Sequence, residues 1–243
     1  MNVVDAWLTR VQAVFWPPVC VLCRGVGQRP VLDICAECEA DLPVNVPACR
    51  VCAQPLSDAA SDVPCGACLR RPPRFDAGYC AFRYAYPVDH LVQGIKYRGA
   101  VAQGRVLSEL LAQRLRRTRV DPLPELLVPV PLAPRRFRER GYNQAIELGR
   151  YVEKRLRIPM RADVVTRVRE TREQAALDKR ERRKNIRGAF QVVRDLPATH
   201  IAIIDDVITT GSTVNELARV LKKAGARRVE VWAVARAGRV SGI

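Results

Sequence analysis

Eight of the nine cysteines in this 243-residue chain fall into four C-x-x-C pairs: Cys20/Cys23, Cys35/Cys38, Cys49/Cys52 and Cys65/Cys68. A C-x-x-C knuckle can chelate one ion through two thiolates, and two knuckles complete a tetrahedral shell. Taken in chain order the spacings are C-x2-C-x11-C-x2-C and then C-x2-C-x12-C-x2-C, those of zinc ribbons. Sequential ribbons are favoured over interleaved ones, although spacing alone leaves the pairing open. The segment also holds Pro43, Pro47, Pro55 and Pro64 and has too little apolar matter for a core of its own. Metal binding would therefore supply its folding energy. With every position filled by thiolate no site is left for a catalytic water, so two structural Zn2+ ions are expected. An iron–sulfur cluster uses the same four-cysteine set, whereas disulfides require an oxidising compartment.

Nothing directs the chain to such a compartment. Asp5 and Arg10 interrupt the N-terminal apolar residues before a signal core can form, so a cytoplasmic location is expected. No apolar run approaches the roughly 18 residues of a membrane span. The best candidate, Leu126 to Pro134, is short and carries three prolines, so membrane insertion is not expected. The chain is strongly basic, with 41 Lys+Arg against 25 Asp+Glu and a formal net charge of +16. Two zinc ions on eight thiolates lower that to about +12.

Along the chain, Val4, Trp7, Leu8, Val11, Val14 and Phe15 predict an amphipathic helix that Pro17 and Pro18 stop. The cysteine region runs to about Arg71 and Pro72-Pro73 reads as a linker, giving domains of 1–72 and 73–243. Beyond the linker, Phe82, Tyr84 and Tyr86 alternate like a strand, and Cys80 within that stretch reads as a small buried hydrophobe. Helical spacing marks Leu107 to Leu115, Gln144 to Leu156 and Val214 to Ala224, the last ended by Gly225. Strands are predicted at Leu126 to Val130, Ile201 to Ile204 and Val229 to Val234. Alternating strands and helices imply an α/β fold with a mostly parallel sheet.

The stretch richest in chemistry runs from Ile201 to Thr213. A buried strand ends in Asp205-Asp206, followed by Val-Ile and then Thr209-Thr210-Gly211-Ser212-Thr213 at a helix start. In open α/β sheets ligands bind at the carboxyl ends of the strands, and a helix N-terminus favours an anion. Two carboxylates beside an anion site make sense if the ligand carries both a phosphate and a diol, as a phosphoribosyl group does. The acids would accept from ribose hydroxyls while the loop holds the 5′-phosphate. A capping box between Thr213 and Glu216 is a structural reading of part of the motif. A P-loop ATPase is excluded because no G-x-x-x-x-G-K-[ST] occurs upstream.

That stretch resembles the phosphoribosyl-diphosphate (PRPP) fingerprint of type I phosphoribosyltransferases. The chain around it is similar to the ComF family, which joins a Cys-rich zinc module to such a domain. The similarity extends to Lys96-Tyr97-Arg98-Gly99, Val128-Pro129-Val130-Pro131, Arg140-Gly141-Tyr142-Asn143-Gln144 and the series Gln174, Leu177, Arg180, Arg183, Asn185, Phe190. The resemblance implies a type I phosphoribosyltransferase-like, mostly parallel sheet flanked by helices and preceded by the zinc-ribbon module. It implies that Asp205 and Asp206 hold the ribose hydroxyls and Thr209, Thr210, Gly211, Ser212 and Thr213 the 5′-phosphate. The loop carrying Val130, Pro131 and Leu132 would meet the pyrophosphate, with Mg2+ bridging pyrophosphate and ribose oxygens. It further implies a role in DNA uptake during natural competence; some members have been linked to gluconate use.

The basic segment from Arg161 to Arg194 carries 11 Lys/Arg and 5 Asp/Glu. One reading is a solvated helix face; another is electrostatic contact with nucleic acid. The family pattern implies a loop closing over PRPP with Arg180 or Arg183 facing the pyrophosphate. Aromatic residues make up only 6%, which gives little support to a base-stacking platform. Two functions are compatible with these features. One is Mg2+-dependent transfer of phosphoribose to an unidentified acceptor. The other is a non-catalytic PRPP-binding adaptor whose zinc module and basic surface contact single-stranded DNA or a DNA-import helicase or pore partner.

Overall fold

Strand β1 (Ala77–Arg83), β2 (Leu126–Pro129), β5 (His200–Ile208) and β6 (Arg228–Arg236) form a parallel sheet in the order β1-β6-β5-β2. A separate antiparallel pair joins β3 (Val165–Arg167) to β4 (Phe190–Val192). The computed structural model describes residues 18–28, 32–57, 63–98, 100–118, 122–170 and 185–238. The helix expected over Val4 to Phe15 lies outside the described residues.

Continuous apolar runs become central strands because both faces of the sheet are covered. All four residues of β2 are buried, as are eight of the nine in β6. Helix α4 (Val101–Thr118) packs on α6 (Gln144–Leu156), and both lie against the sheet. Helix α6 has the predicted bounds: the Asn143 side chain caps it by accepting from Ala145 N–H. Helix α7 (Ser212–Lys223) crosses from β5 to β6, and Gly225 takes φ +111° beyond its end. The strand expected through Phe82, Tyr84 and Tyr86 is shifted. It runs from Ala77 and stops at Arg83; Phe82 is fully buried, but Tyr86 is exposed. Pro87 and α3 (Val88–Arg98) follow directly, leaving no room for a longer strand. Cys80 is buried, as expected.

The short helices α1 (Ala36–Ala40) and α2 (Gly66–Arg70) start directly after Cys35 and Cys65. Around them the cysteine segment is fastened to the sheet. Val44 bridges Phe82 antiparallel on the free side of β1, Asn45 N–H donates to Ala81 and Arg83 N–H to Pro43. The edge that β1 would otherwise expose is thereby paired, removing a template for aggregation. Leu32, Ile34, Leu42 and Ala53 share one apolar cluster with the sheet, and Asp33 pairs with Arg105 of α4.

The second knuckle sits still closer. Gly78 N–H donates to the Arg50 carbonyl, and a Cβ at Gly78 would lie 2.9 Å from the Val51 carbonyl oxygen. A Gly78→Ala substitution should therefore destabilise the chain by about 1–3 kcal/mol through overpacking. Urea unfolding checks this; an unchanged midpoint would mean that the knuckle yields without cost.

Candidate functional site

The eight paired cysteines gather into two clusters, Cys20/Cys23/Cys35/Cys38 and Cys49/Cys52/Cys65/Cys68. Sequential pairing is thus what the fold adopts. Within each cluster the Sγ atoms lie within 4.8 Å of one another, including 3.7 Å for Cys23–Cys35 and 3.7 Å for Cys52–Cys65. A tetrahedral Zn–S distance of about 2.3 Å requires sulfurs about 3.8 Å apart, so both sets fit zinc. Backbone N–H groups point at the sulfurs, as Cys65 N–H does to Cys49 Sγ at 3.1 Å. Hydrogen bonding from Cys52 pulls the Cys49 thiol down to about 4, while Cys49 and burial push Cys52 up. Opposite shifts within one cluster are what crowded thiols show when they cannot all ionise, and a divalent cation removes that conflict.

A second centre opens at the carboxyl ends of the parallel strands. A cleft of about 390 Å3 is lined there by Asp205, Asp206, the Thr209–Thr213 turn and Val130-Pro131-Leu132. The fold therefore brings together the acids, the turn and the loop that the sequence singles out. Arg180 and Arg183 lie outside the described residues. The turn owes its shape to Gly211, whose φ of +74° is one that side chains resist. Its N-cap residue, Gly211, has no side chain to cap helix α7; Thr210 Oγ1 accepts from Ser212 N–H at 3.4 Å, and the positive end of the helix faces the cleft, where an anion is favoured. Thr210 and Ser212 hydroxyls meet at 2.9 Å. The capping box expected between Thr213 and Glu216 does not form. Instead Glu216 accepts from Gly188 N–H at 2.8 Å and pairs with Arg219.

The acid pair is held asymmetrically. Asp206 pairs with Lys96 of α3 at 2.9 Å and accepts from Val207 N–H at 2.6 Å. Asp205 accepts from Asp206 N–H at 2.9 Å. Burial, with Asp206 alongside, pushes the Asp205 carboxyl up to about 8 against the opposing pull of Lys96 and Arg167. Burial opposes charge on Lys96, but the acids outweigh it and raise its pKa. Arg136, Arg140 and Arg167 also line the cleft, and burial depresses the Arg167 pKa. Asn143 donates from Nδ2 to the Val130 carbonyl at 3.0 Å, fixing the loop opposite the acids.

Asp205 gives the protein a pH signature. Its folded pKa lies above the unfolded carboxylate value, so between about pH 4 and 8 the folded state binds the extra proton. Stability is lost as pH rises through that window, by up to about 1.4 kcal/mol per pH unit. Asp205→Asn carries no charge to bury. Its stability relative to wild type should be near zero at pH 4 and grow toward pH 8, as urea titrations at several pH values would record. A pH-independent difference would place the Asp205 carboxyl at its ordinary value.

The chain resembles known proteins over nearly its whole length. Residues 11–69 match a family profile described as a double zinc ribbon domain. Competence protein F of Haemophilus influenzae is 35% identical over 224 residues, covering 90% of this chain and 96% of that protein. The chain belongs to the competence protein F family. DNA utilization protein YhgH of Escherichia coli K12 is another member, 34% identical over 223 residues, covering 90% of this chain and 97% of its own. Among solved structures, a purine phosphoribosyltransferase from Pyrococcus horikoshii aligns with a TM-score of 0.35 at 18% identity, over 58% of this chain and 76% of that one. That likeness is too distant to carry an argument. Among the described residues of this competence protein F relative, no helix is long and apolar enough to cross a membrane.

Sequence reasoning quoted Lys96 and the Asn143-Gln144 pair inside family motifs without giving them a role, and it missed Arg167. Lys96 lies 110 positions before Asp206, and only the crossing of α3 beside the end of β5 makes them partners. No spacing rule in the sequence could have found that pair.

Proposed function

We propose that the cleft binds PRPP and that the protein transfers its phosphoribosyl group to an acceptor in the service of DNA uptake or utilisation. One observation carries the reading: an acid pair near the end of a central strand, which runs on to Ile208 rather than ending at the acids, and the helix start that follows at Ser212 both face one cleft lined by cations. Asp205 and Asp206 would accept from the ribose 2′- and 3′-hydroxyls, and the Thr209–Thr213 turn would donate to the 5′-phosphate. Lys96, Arg136, Arg140 and Arg167 line the same cleft and would face the diphosphate. In the reaction the bond from ribose C1 to the diphosphate oxygen breaks, a bond from C1 to the acceptor forms, and the acceptor loses a proton. Mg2+, when bound with PRPP, would offset the charge of the diphosphate as it leaves. Stabilising that charge is the main catalytic contribution expected of the cationic side chains. Eight cysteines arranged as two zinc-ligand sets accord with a reducing compartment, and we assign the protein to the cytoplasm.

A second reading rests on the metal module. Val26, Val46 and Leu69 expose apolar side chains there, which favours a protein partner and an adaptor role without transfer. The competence and DNA-utilization names of the relatives accord with either reading. Thermal unfolding of the zinc-loaded protein with and without PRPP and Mg2+ tests the feature that both share. Stabilisation supports the site, and an unchanged midpoint overturns it. Pyrophosphate release against a panel of nucleobases and amines then separates transferase from adaptor.

A further inference from the structure

The side chain of Arg236, at the end of β6, stands between the two centres and touches both. It is only 6% exposed. Its Nε donates to the Cys52 carbonyl at 3.0 Å, inside the second cysteine cluster. Its Nη1 donates to the Ile208 carbonyl at 2.9 Å and to the Thr209 carbonyl, at the start of the turn that lines the cleft, and shares these hydrogens with the Ala237 carbonyl. Among the described residues no carboxylate pairs with it; the partners named here are all backbone carbonyls.

The planarity of the peptide bond gives these contacts a direction. In a trans peptide the N–H points opposite to the C=O of the same unit. With the carbonyls of Ile208 and Thr209 turned toward Arg236, the N–H groups of Thr209 and Thr210 are turned away from it. Arg236 thus fixes the orientation of two amides at the base of the turn. Its Nε–H rests on the carbonyl of Cys52, which belongs to a knuckle that would close around metal. Gly78, with no room for a Cβ beneath Val51, keeps that knuckle pressed to the sheet. A lysine could not replace this fork, since its single ammonium lacks the rigid, forward-spread donors of a guanidinium.

We infer that Arg236 is a positioning residue that couples the second cysteine cluster to the phosphate turn, so that metal in the cluster and sugar phosphate in the cleft bind cooperatively. The inference rests on the proposed PRPP site and adds its regulation: a chain stripped of zinc at Cys49/Cys52/Cys65/Cys68 would hold the ligand poorly. Coupling between sites is reciprocal, so PRPP must also retain zinc, and that can be read without any measure of catalysis.

The test uses the full-length, zinc-loaded protein and the chromogenic chelator 4-(2-pyridylazo)resorcinol. Zinc release is followed with Mg2+ alone and with Mg2+ plus PRPP. In wild type PRPP should slow one of the two release phases by about 5-fold or more and leave the other unchanged. Arg236→Lys, loaded with two zinc ions, should release both at rates insensitive to PRPP and bind PRPP more weakly. If PRPP raises the wild-type melting temperature but leaves both release phases and the equilibrium zinc occupancy at graded chelator unchanged, the coupling is wrong and the PRPP site stands. If PRPP neither stabilises wild type nor slows release, both fall. The wild-type release curves decide the matter even if the variant fails to fold.

Discussion

Replacing Cys49 with serine should lower the melting temperature of the whole chain by more than about 10 °C, and not that of a detached metal module alone. Cys49 is 1% exposed, and its sulfur accepts from Cys65 N–H within the second cluster. Structural zinc contributes on the order of 10–16 kcal/mol of apparent binding energy in isolated ribbon-sized peptides. Losing one ligand forfeits a large part of that. The loss spreads because the module has no separate interior: Ile34, Leu42 and Ala53 lie in the same apolar cluster as the sheet, and Val44 is paired to Phe82. Calorimetry with metal analysis checks the expectation, which is one cooperative transition, lowered, with one zinc per chain instead of two. Two separate transitions, the upper one at the wild-type temperature, would show that the module melts independently.

The acid pair carries the second large effect. PRPP at 100 times its dissociation constant should stabilise wild type by about 2.7 kcal/mol. For a chain of this size that is a rise of roughly 5–10 °C in melting temperature. The Asp205→Asn/Asp206→Asn protein should lose nearly all of it. Its amides still reach the ribose hydroxyls, but Lys96 loses the carboxylate 2.9 Å away and is left buried without a counter-charge. In the absence of ligand the effects oppose each other: removing the Asp205 carboxyl, which the fold keeps protonated up to about pH 8 at a cost at neutral pH, stabilises, and orphaning Lys96 destabilises. The ligand-induced shift is therefore the informative quantity, and not the baseline. A double variant that gains as many degrees from PRPP as wild type does would move the sugar site away from these acids.

How much of this was legible beforehand depends on whether the signal was contiguous. The cysteine knuckles, the Asp205-Asp206 pair and the turn after it were readable because each is a local pattern whose chemistry follows from neighbours in sequence. Strands β2, β5 and β6 were readable because burial on both faces leaves unbroken apolar runs. Strand β1 was displaced by several residues: Ala77, Gly78 and Tyr79 carry no alternation, since one side of the strand is shared with the cysteine module. The β3–β4 pair, three residues on each side, is too short to leave a period. Glu216 was misassigned because a capping box considers only its own helix, and the Gly188 amide competes for the same carboxylate from far away in sequence. Lys96, Arg167 and Arg236 stayed hidden for that same reason. Their roles exist only once the topology has brought distant segments to one end of the sheet.

The sheet order has a consequence for biosynthesis. The edge strand β1 has as its inner neighbour β6, the last strand among the described residues, and Cys52 is tied to Arg236. All eight zinc ligands have left the ribosome when residue 68 has, well before the seat on which they rest exists. The cysteine segment therefore waits for about 160 further residues before the strand beside its seat is made. The pairing of early with late segments makes synthesis of β6 the event that locks the molecule. A message truncated before Arg228 would yield a metallated product with its apolar flank uncovered, a natural substrate for chaperones and proteases.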